Sequence, residues 1–546
     1  MRYMYIFIFP FFVLLGNNGL YAQSYNEILG RPADSGMTIS ILSDLNIEVY
    51  WEYGTTSGIY DKSTPNFIAD ADSALEANFV GLHTDTKYYY RTRYRPAGTS
   101  GLFAAGPEHT FHTQRPAGSS YTFTIEADEH LYDKKGVRSL YKVCLANQGK
   151  DNPDFMFTLG DIFGNDHQPF TITSHQMDSL HKMYRPYLGS ICHSVPLMIC
   201  LGNHEGEKEY YLLQTPPQNM AVYGTHWRKF YYANPYPGNF YSGNPDVEPY
   251  GMDHPENYYS WTWGNALFVV LDVYRYACDT TPKPEGWAWT LGFPQYTWLK
   301  NTLENSTAQY KFVFAHHTRG EGRGGILTAP YFEWGGYEQN GTTWGFAAHR
   351  PGWEKPIHQL FKDNGVTIFF QGHDHLFAHE ILDGVTYQEV PMPSDSTYHL
   401  GVIANGDAYV SDTLYGSGHL RVTVSPYCVK VDYVRAFLPI DTLNGAHHNG
   451  EVAFSYTVGD CSVGTDQRAV SPEITVFPNP ASDLISVSLP PGLVQKEVRL
   501  INTMGITVIK SRSNTLDVKG IQSGLYFLSV STDSFTLNKK VIISRY

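Results

Sequence analysis

Short clusters of aspartate, asparagine, glutamate and histidine recur along the middle of the chain, and each directly follows an apolar stretch with strand character. In chain order they are Asp128-Glu129-His130, Gly160-Asp161, Gly202-Asn203-His204-Glu205, His316-His317 and Gly372-His373-Asp374-His375. In open α/β sheets, ligands bind in the crevice beyond the carboxyl ends of the strands. We therefore expect a fold that brings these loops to one rim. Because Asp, Asn and His are oxygen and imidazole ligands for divalent metals, the rim is a candidate metal site; a set of unconnected polar loop residues is the alternative.

Strands and helices alternate around these clusters. The apolar stretches predict strands at Tyr121 to Ala127, Phe155 to Leu159, Val195 to Leu201, Ala266 to Leu271, Lys311 to Ala315 and Val366 to Phe370. Helical patterns fall between them, at Gly136 to Gln148, Ser174 to Tyr187, Gln295 to Leu303 and Pro356 to Asp363. This alternation favours an α/β domain with substantial parallel pairing.

The regions on either side have a different pattern. From about Tyr25 to Thr113, short runs rich in aromatic and β-branched residues, such as Ile47 to Tyr53, are separated by turn signals. That pattern is typical of a β-sandwich. The region 472–546 again alternates short strands and turns, and the polar stretch 459–471 is predicted to be a linker.

The charge balance argues against one class of function. Lys and Arg number 39 and Asp and Glu number 53, so the formal net charge is −14. An acidic chain repels phosphate backbones at long range, so we do not expect a nucleic-acid-binding scaffold.

The first residues are typical of an export signal. Arg2 precedes an apolar run from Tyr5 to Leu15, and the small residue Ala22 follows. This pattern predicts a signal peptide over residues 1–22, with a buried N-terminal strand as the alternative. The run is too short to cross a bilayer comfortably, and no second apolar stretch of about 18 residues occurs. We therefore expect a protein without a transmembrane segment that is secreted or held at the outer cell surface.

With these clusters in this order, the region from about Tyr121 to His379 resembles the metallophosphoesterase (calcineurin-like) superfamily. The resemblance implies an α/β fold, a two-sheet sandwich flanked by helices, with a site for two divalent metal ions. Matched residue by residue, it gives Asp128, His130 and His375 to one ion, Asn203, His316 and His373 to the other, and Asp161 to both as a bridge. His204 would be the catalytic residue beside the scissile phosphate, as general acid or electrostatic stabiliser. Glu205 would orient a neighbouring group.

Within that superfamily, the stretch Gln295 to Leu299 and the strand-rich N-terminal region resemble the purple acid phosphatase branch. This branch has a tyrosine ligand three residues after the bridging aspartate, where the present chain has Gly164. It also lacks the histidine found here at His130. The departures argue against a coloured ferric–tyrosinate centre, so we expect a colourless site that holds Mn, Zn or Fe.

The C-terminal stretch carries a second resemblance. Val476-Phe477-Pro478-Asn479-Pro480, Ser523-Gly524-Leu525-Tyr526 and Lys539-Lys540 resemble a type IX secretion sorting domain. It implies handling by the type IX secretion machinery; a structural β-module is the alternative. The predicted domains are thus a signal peptide (1–22), a fibronectin-III-like β-sandwich (23–115), a catalytic domain (116–458), a linker (459–471) and a C-terminal β-sandwich for sorting (472–546).

The expected function is that of a secreted dinuclear-metal phosphoric ester hydrolase. A metal-bound hydroxide would attack a small phosphate ester, in the first place a phosphomonoester. A phosphodiesterase acting on nucleotide or lipid head groups is the alternative enzyme, and a metal-stabilised surface binding protein is the alternative of another class. His317 and Arg319 follow the strand that leads to His316, so they are candidate contacts for substrate oxygens; a surface role is the alternative for both.

Overall fold

The computed structural model describes residues 25–164, 166, 168–212, 218–277, 286–318, 322–442, 445–461, 475–489, 495–503, 506–532 and 536–545. The predicted signal peptide and the linker residues 462–471 lie outside these ranges. The chain forms two compact units, one ending at Gly459 and the other beginning at Asp460. The predicted domain boundaries stay predictions.

The N-terminal part of the first unit consists of strands alone: β1 (Tyr25–Gly30), β2 (Gly36–Ser43), β3 (Ile47–Gly54), β4 (Lys62–Ser63), β5 (Phe67–Ala69), β6 (Leu75–Val80), β7 (Lys87–Pro96) and β8 (Ala104–His112). One sheet has the order β1-β2-β6 and the other β4-β3-β7-β8, with β5 paired to β3. In β3, Ile47, Val49, Trp51 and Tyr53 are buried and alternate with partly exposed residues. This period of two is that of a strand with one face on a core, and the buried side chains of both sheets form one cluster.

The elements that follow include the six predicted strands, each within two or three residues of its predicted bounds, and further strands and helices that were not predicted. They are β9 (Tyr121–Glu126), α1 (Arg138–Lys150), β10 (Met156–Thr158), α2 (Ser174–Cys192), β11 (Leu197–Ile199), α3 (Glu209–Leu212), α4 (Met220–Tyr231), β12 (Ser242–Gly243), β13 (Tyr259–Trp263), β14 (Ala266–Val270), α5 (Gly292–Glu304), β15 (Tyr310–Phe314), α6 (Phe332–Gly335), α7 (Phe346–His349), α8 (Ile357–Asp363), β16 (Ile368–Gln371), β17 (Phe377–Leu382), β18 (Val385–Glu389), β19 (Asp412–Leu414), β20 (Gly418–Val424), β21 (Cys428–Arg435) and β22 (Val452–Gly459).

Two sheets carry this part of the chain. The first has the order β11-β10-β9-β20-β21-β22, and the second β12-β13-β14-β15-β16-β18-β17-β19. Strands β9, β10 and β11 pair in parallel, as do β14, β15, β16 and β18. All five residues of β14 and of β15 are buried, as expected for parallel strands covered on both faces. A single buried cluster, which includes Phe123, Phe157, Phe268 and Phe314, joins the two sheets. The predicted two-sheet α/β architecture is confirmed.

The β-sandwich at the N-terminus packs on α2 through a buried arginine. The guanidinium of Arg185 donates to Asn26 Oδ1 at 2.7 Å, to the hydroxyl and carbonyl oxygens of Ser40 at 2.9 Å each, and to Tyr231 O at 2.5 Å. Because a buried cation is costly unless its donors are satisfied, this set of acceptors specifies how the sandwich and the helix meet.

The described residues of the second unit form seven strands: β23 (Thr475–Phe477), β24 (Leu484–Ser488), β25 (Gln495–Asn502), β26 (Thr507–Ser511), β27 (Thr515–Asp517), β28 (Gly524–Thr532) and β29 (Thr536–Ile543). Its two antiparallel sheets have the orders β23-β24-β27 and β26-β25-β28-β29 and share one apolar cluster. Within the described parts of both units, no helix combines the length and the apolar character needed to cross a membrane.

Two stacked histidines lie where β8 meets the end of α2. The rings of His109 and His193 have centroids 3.9 Å apart and an interplanar angle of 28°. Burial, with the repulsion of His193, lowers the pKa of His109 to about 4. Burial likewise lowers the pKa of His193. The contact therefore requires neutral rings.

We predict that this contact makes the first unit sensitive to acid. An unfolded histidine titrates near about pH 6.5, so the unfolded chain takes up a proton that the folded His109 refuses. The stabilisation is complete above that pH and is lost as the pH falls toward about 4. Between about pH 7 and pH 5, the contribution of His109 to the free energy of unfolding should fall by about 2 kcal/mol. Urea unfolding at the two pH values measures it.

In His109→Phe, the difference in free energy of unfolding between the two pH values should be smaller than in the parent by that amount. The control is His175→Phe on α2, whose side chain is 88% exposed. An unchanged difference in His109→Phe would contradict the assignment.

Candidate metal centre

The five polar clusters meet where the two sheets come together. The first three follow β9, β10 and β11 of the first sheet, and the last two follow β15 and β16 of the second. Five non-glycine residues in these loops have a positive φ angle: Asp128 (62°), His130 (45°), Asp161 (59°), His373 (80°) and His375 (65°). This backbone region is unfavourable for side chains with a Cβ, and residues held there concentrate at functional sites.

One group of side chains contains Asp128, His130 and His375, whose ligand atoms lie within 4.8 Å of one another. His130 Nε2 lies 3.0 Å from His375 Nε2, and Asp128 Oδ1 lies 3.6 Å from His375 Nε2. His375 directs Nδ1 at Ile403 O at 3.2 Å, and His130 directs Nδ1 at a carboxylate oxygen of Asp133 at 3.2 Å. Both Nδ1 atoms therefore face acceptors, which leaves the Nε2 lone pairs facing each other.

A second group contains Asp161, His316 and His373, and Asn203 joins it. Asn203 Oδ1 lies 3.1 Å from His316 Nε2 and 2.9 Å from His373 Nδ1. His316 Nδ1 lies 2.8 Å from Leu159 O, a carbonyl that accepts its proton. Here too, atoms with lone pairs converge.

The carboxylate of Asp161 lies between the two groups. Its Oδ2 is 3.2 Å from His316 Nε2 in the second group and 3.9 Å from His130 Nε2 in the first. Its Oδ1 accepts the backbone N–H of His204 at 2.8 Å. A carboxylate with two oxygens in this position can serve both groups.

The electrostatics of the site call for positive charge. Burial raises the pKa of Asp128 to about 8, helped by the charge of Asp161 and opposed by His316. Burial disfavours the charged form of His316, but Asp161 and Asp128 outweigh it and raise its pKa to about 10. Asp128 Oδ1 is buried and, among the described residues, has no hydrogen-bond partner. Convergent lone pairs, crowded carboxylates and an unsatisfied buried oxygen fit divalent cations well.

Glu205 holds the loop that carries Asp161. Its carboxylate accepts four backbone N–H groups: Gly202 at 2.6 Å, Asp161 at 3.0 Å, Ile162 at 2.8 Å and Phe163 at 3.1 Å. A single buried side chain therefore ties the loop after β10 to the loop after β11, which is the orienting role expected from the sequence.

His204 stands at the edge of the cluster, and its side chain is 13% exposed. Its Nε2 is 3.7 Å from Asp161 Oδ2, and its Nδ1 is 2.6 Å from Asp166 Oδ1. Burial opposes protonation of the ring, but the charges of Asp161 and Asp166 outweigh it and raise the pKa of His204 to about 9. One ring nitrogen thus faces a carboxylate, and the other faces the site.

The other predicted site positions have mixed outcomes. His317 is fully buried; its Nε2 lies 3.1 Å from Gly324 O, and its ring contacts that of His373 at 5.2 Å. Its contact with substrate stays a prediction, and Arg319 lies outside the described residues. At Gly164, an added Cβ would come 1.5 Å from His204 O. The backbone therefore has no space for a tyrosine there.

Sequence reasoning missed three charged residues next to the cluster: Asp133, Asp166 and Lys208. The first two follow a predicted ligand within a few residues on the same loop, and Lys208 follows Glu205. Such charges are common in surface loops, so nothing in the sequence marks them. Their contacts with one another and with ring nitrogens appear only in the folded chain.

Carboxylates, an asparagine and imidazoles gathered where two packed α/β sheets meet are the features of a metal-dependent phosphoesterase. Comparison with protein families agrees: residues 121–377 match the model of the calcineurin-like phosphoesterases. Residues 475–544 match the secretion system C-terminal sorting domain. The chain therefore carries a calcineurin-like phosphoesterase domain and a sorting domain that indicates export.

Solved structures show the same fold. Purple acid phosphatase PPD1 from yellow lupin seeds shares 16% identity, with 80% of this chain and 74% of that chain covered and a TM-score of 0.53. PhoD shares 18% identity, with 80% of this chain and 90% of that chain covered and a TM-score of 0.55. No curated protein matches the chain significantly.

We predict that Glu205→Gln weakens metal binding. The variant keeps the size of the side chain but removes the charge that gathers four N–H groups, so the loop with Asp161 loses its fixed position. Loss of such a supporting contact typically lowers metal affinity by about 10-fold to 100-fold. Titration of the metal-free protein with Mn²⁺ in a calorimeter measures this. Glu354→Gln, whose side chain is 57% exposed, should bind as the parent does; equal affinity in Glu205→Gln would refute the role.

Proposed function

We propose that this protein is an exported phosphoric ester hydrolase that uses two divalent cations and prefers phosphomonoesters. The observation that carries the proposal is the carboxylate of Asp161 between two groups of converging lone pairs, with His204 beside it. The calcineurin-like phosphoesterase match and the folds of purple acid phosphatase PPD1 and PhoD support it.

Each cation would have its own ligands and share one. Asp128, His130 and His375 would hold the first, Asn203, His316 and His373 the second, and Asp161 both. When bound, two such cations clamp phosphate oxygens and lower the pKa of a coordinated water into the neutral range. The mixture of imidazole and oxygen ligands suits Mn, Zn or Fe.

The chain's own residues account for the departure of the leaving group. In the hydrolysis, a water oxygen forms a bond to phosphorus, the bond to the ester oxygen breaks, and ester plus water gives alcohol plus inorganic phosphate. Negative charge develops on the departing oxygen. His204 Nε2 faces the site and is partly accessible, so it can donate to that oxygen. The carboxylate of Asp166 at Nδ1 keeps the ring in the orientation that this requires.

The sorting domain and the predicted signal peptide support a role outside the cell. The proposed substrate is a small phosphate ester in that environment. A phosphodiesterase and a metal-stabilised binding protein remain as the outcomes that an activity test must separate from this proposal.

The first test compares nitrophenyl phosphate with bis-nitrophenyl phosphate, using the protein reconstituted with Mn or Zn. We expect faster turnover of the monoester, because a doubly charged phosphate gains more from two cations than a singly charged one. Asp161→Asn should lose that turnover, because it removes the shared charge. A preference for the diester would favour the phosphodiesterase, and no turnover of either ester would contradict the proposal.

The second test separates catalysis from metal binding. His204→Ala should lower kcat by about 10²-fold to 10⁴-fold, the range for loss of a general acid. Metal content should stay at that of the parent, because His204 is given no ligand role. His175→Ala on the exposed face of α2 is the control. Parental turnover in His204→Ala would remove this residue from the mechanism.

A further inference from the structure

A fully buried lysine lies close to the proposed catalytic histidine. Lys208 has no exposed side-chain surface, and its Nζ is 3.0 Å from Asp166 Oδ2. Three aromatic rings surround the ammonium, with centroids at 5.5 Å for Tyr211, 5.9 Å for Tyr274 and 6.0 Å for Trp289. A buried ammonium is costly unless it is paired, and ring faces add attraction for it.

The carboxylate of Asp166 is therefore held from both sides. Oδ2 faces Lys208 at 3.0 Å, and Oδ1 faces His204 Nδ1 at 2.6 Å. Asp166 lies on the loop after β10, whereas Lys208 and His204 lie on the loop after β11. Loss of the ammonium would remove the donor to Oδ2, and Asp166 could then turn away from the imidazole.

We propose that Lys208 is a positioning residue that acts through Asp166 to hold His204 toward the leaving oxygen. This inference rests on the proposed function and adds a statement about substrate class. His204 matters most when the leaving group is a poor one, such as an alkoxide, because more charge then develops on the departing oxygen. The contacts that connect Lys208 through Asp166 to His204 therefore allow the site to hydrolyse alkyl phosphate esters as well as activated aryl esters.

A purely structural lysine would behave differently. If Lys208 only tied two loops together, its loss would disturb the metal ligands and lower turnover of every ester alike. If Lys208 acts through His204, the decrease in turnover caused by its removal should depend on the leaving group. That decrease should vanish in a variant that already lacks His204.

The experiment measures kcat and KM of the reconstituted full-length protein for glycerol phosphate and for nitrophenyl phosphate. Lys208→Met removes the charge and keeps the length of the side chain. We expect kcat for glycerol phosphate to fall by roughly tenfold or more and kcat for nitrophenyl phosphate by no more than about threefold. KM values and metal content should stay near those of the parent.

Lys311→Met is the matched control. This ammonium is also buried, but it donates to the carbonyl oxygens of Leu303 at 2.9 Å and Asn364 at 2.8 Å, near the amino end of β15 and away from the site. Any effect of Lys311→Met should be the same for both esters.

A double-mutant cycle completes the test. In the His204→Ala background, Lys208→Met should cause no further loss of kcat, because residues that act as a unit are not additive. If Lys208→Met does not fold, Asp166→Asn enters the same cycle with the same expectation.

Equal losses for the two esters, or losses that add in the cycle, would overturn the role of Lys208 and leave the proposed function intact. A parent protein that hydrolyses neither ester would overturn both.

Discussion

The buried carboxylate of Asp161 is the point on which the site depends. Its Oδ2 lies 3.2 Å from His316 Nε2 in one group of ligands and 3.9 Å from His130 Nε2 in the other. The carboxylate therefore links the loops of the first sheet to those of the second. Burying such a charge among imidazoles and a second carboxylate is unfavourable unless positive charge compensates it. This buried charge lies where the carboxyl ends of parallel strands from both sheets meet.

The surroundings of Asp161 are organised to maintain that position. Glu205 collects four backbone N–H groups from the loops on either side. Positive φ angles at Asp128, His130 and Asp161 direct the side chains inward at some cost in backbone energy. Behind them lies a continuous aromatic and aliphatic core between the sheets, whose close packing gives the rigid support that such strained loops need.

Much of this could be predicted from the sequence, because apolar strands buried on both faces leave a strong signal and each is followed by ligand-type residues. The strand at Tyr121 to Ala127 and the helix that begins at Ser174 are examples. Other features left no signal. The predicted helix from Ser174 to Tyr187 continues for five more residues, to Cys192. Strands β20 to β22, far along the chain, join the sheet of β9, and β20 pairs directly with β9.

The same limit applies within the site. The predicted ligands came from ordered motifs, whereas Asp166 and Lys208 were not distinguishable from surface charges. Pairing across loops is a property of the folded chain. Only the structure shows that Lys208 is a buried cation paired with Asp166 and packed against an aromatic ring. The stretch 207–259 contributes α4 and buried side chains, including Arg228 paired with Glu207 at 2.6 Å.

We propose that two cations flank Asp161, and anomalous diffraction from crystals loaded with Mn²⁺ would locate them. We expect two peaks per chain about 3.5–4 Å apart. One would lie against Asp128, His130 and His375, the other against Asn203, His316 and His373, and Asp161 would touch both. A single peak, or peaks that leave Asp161 without a metal contact, would contradict this proposal.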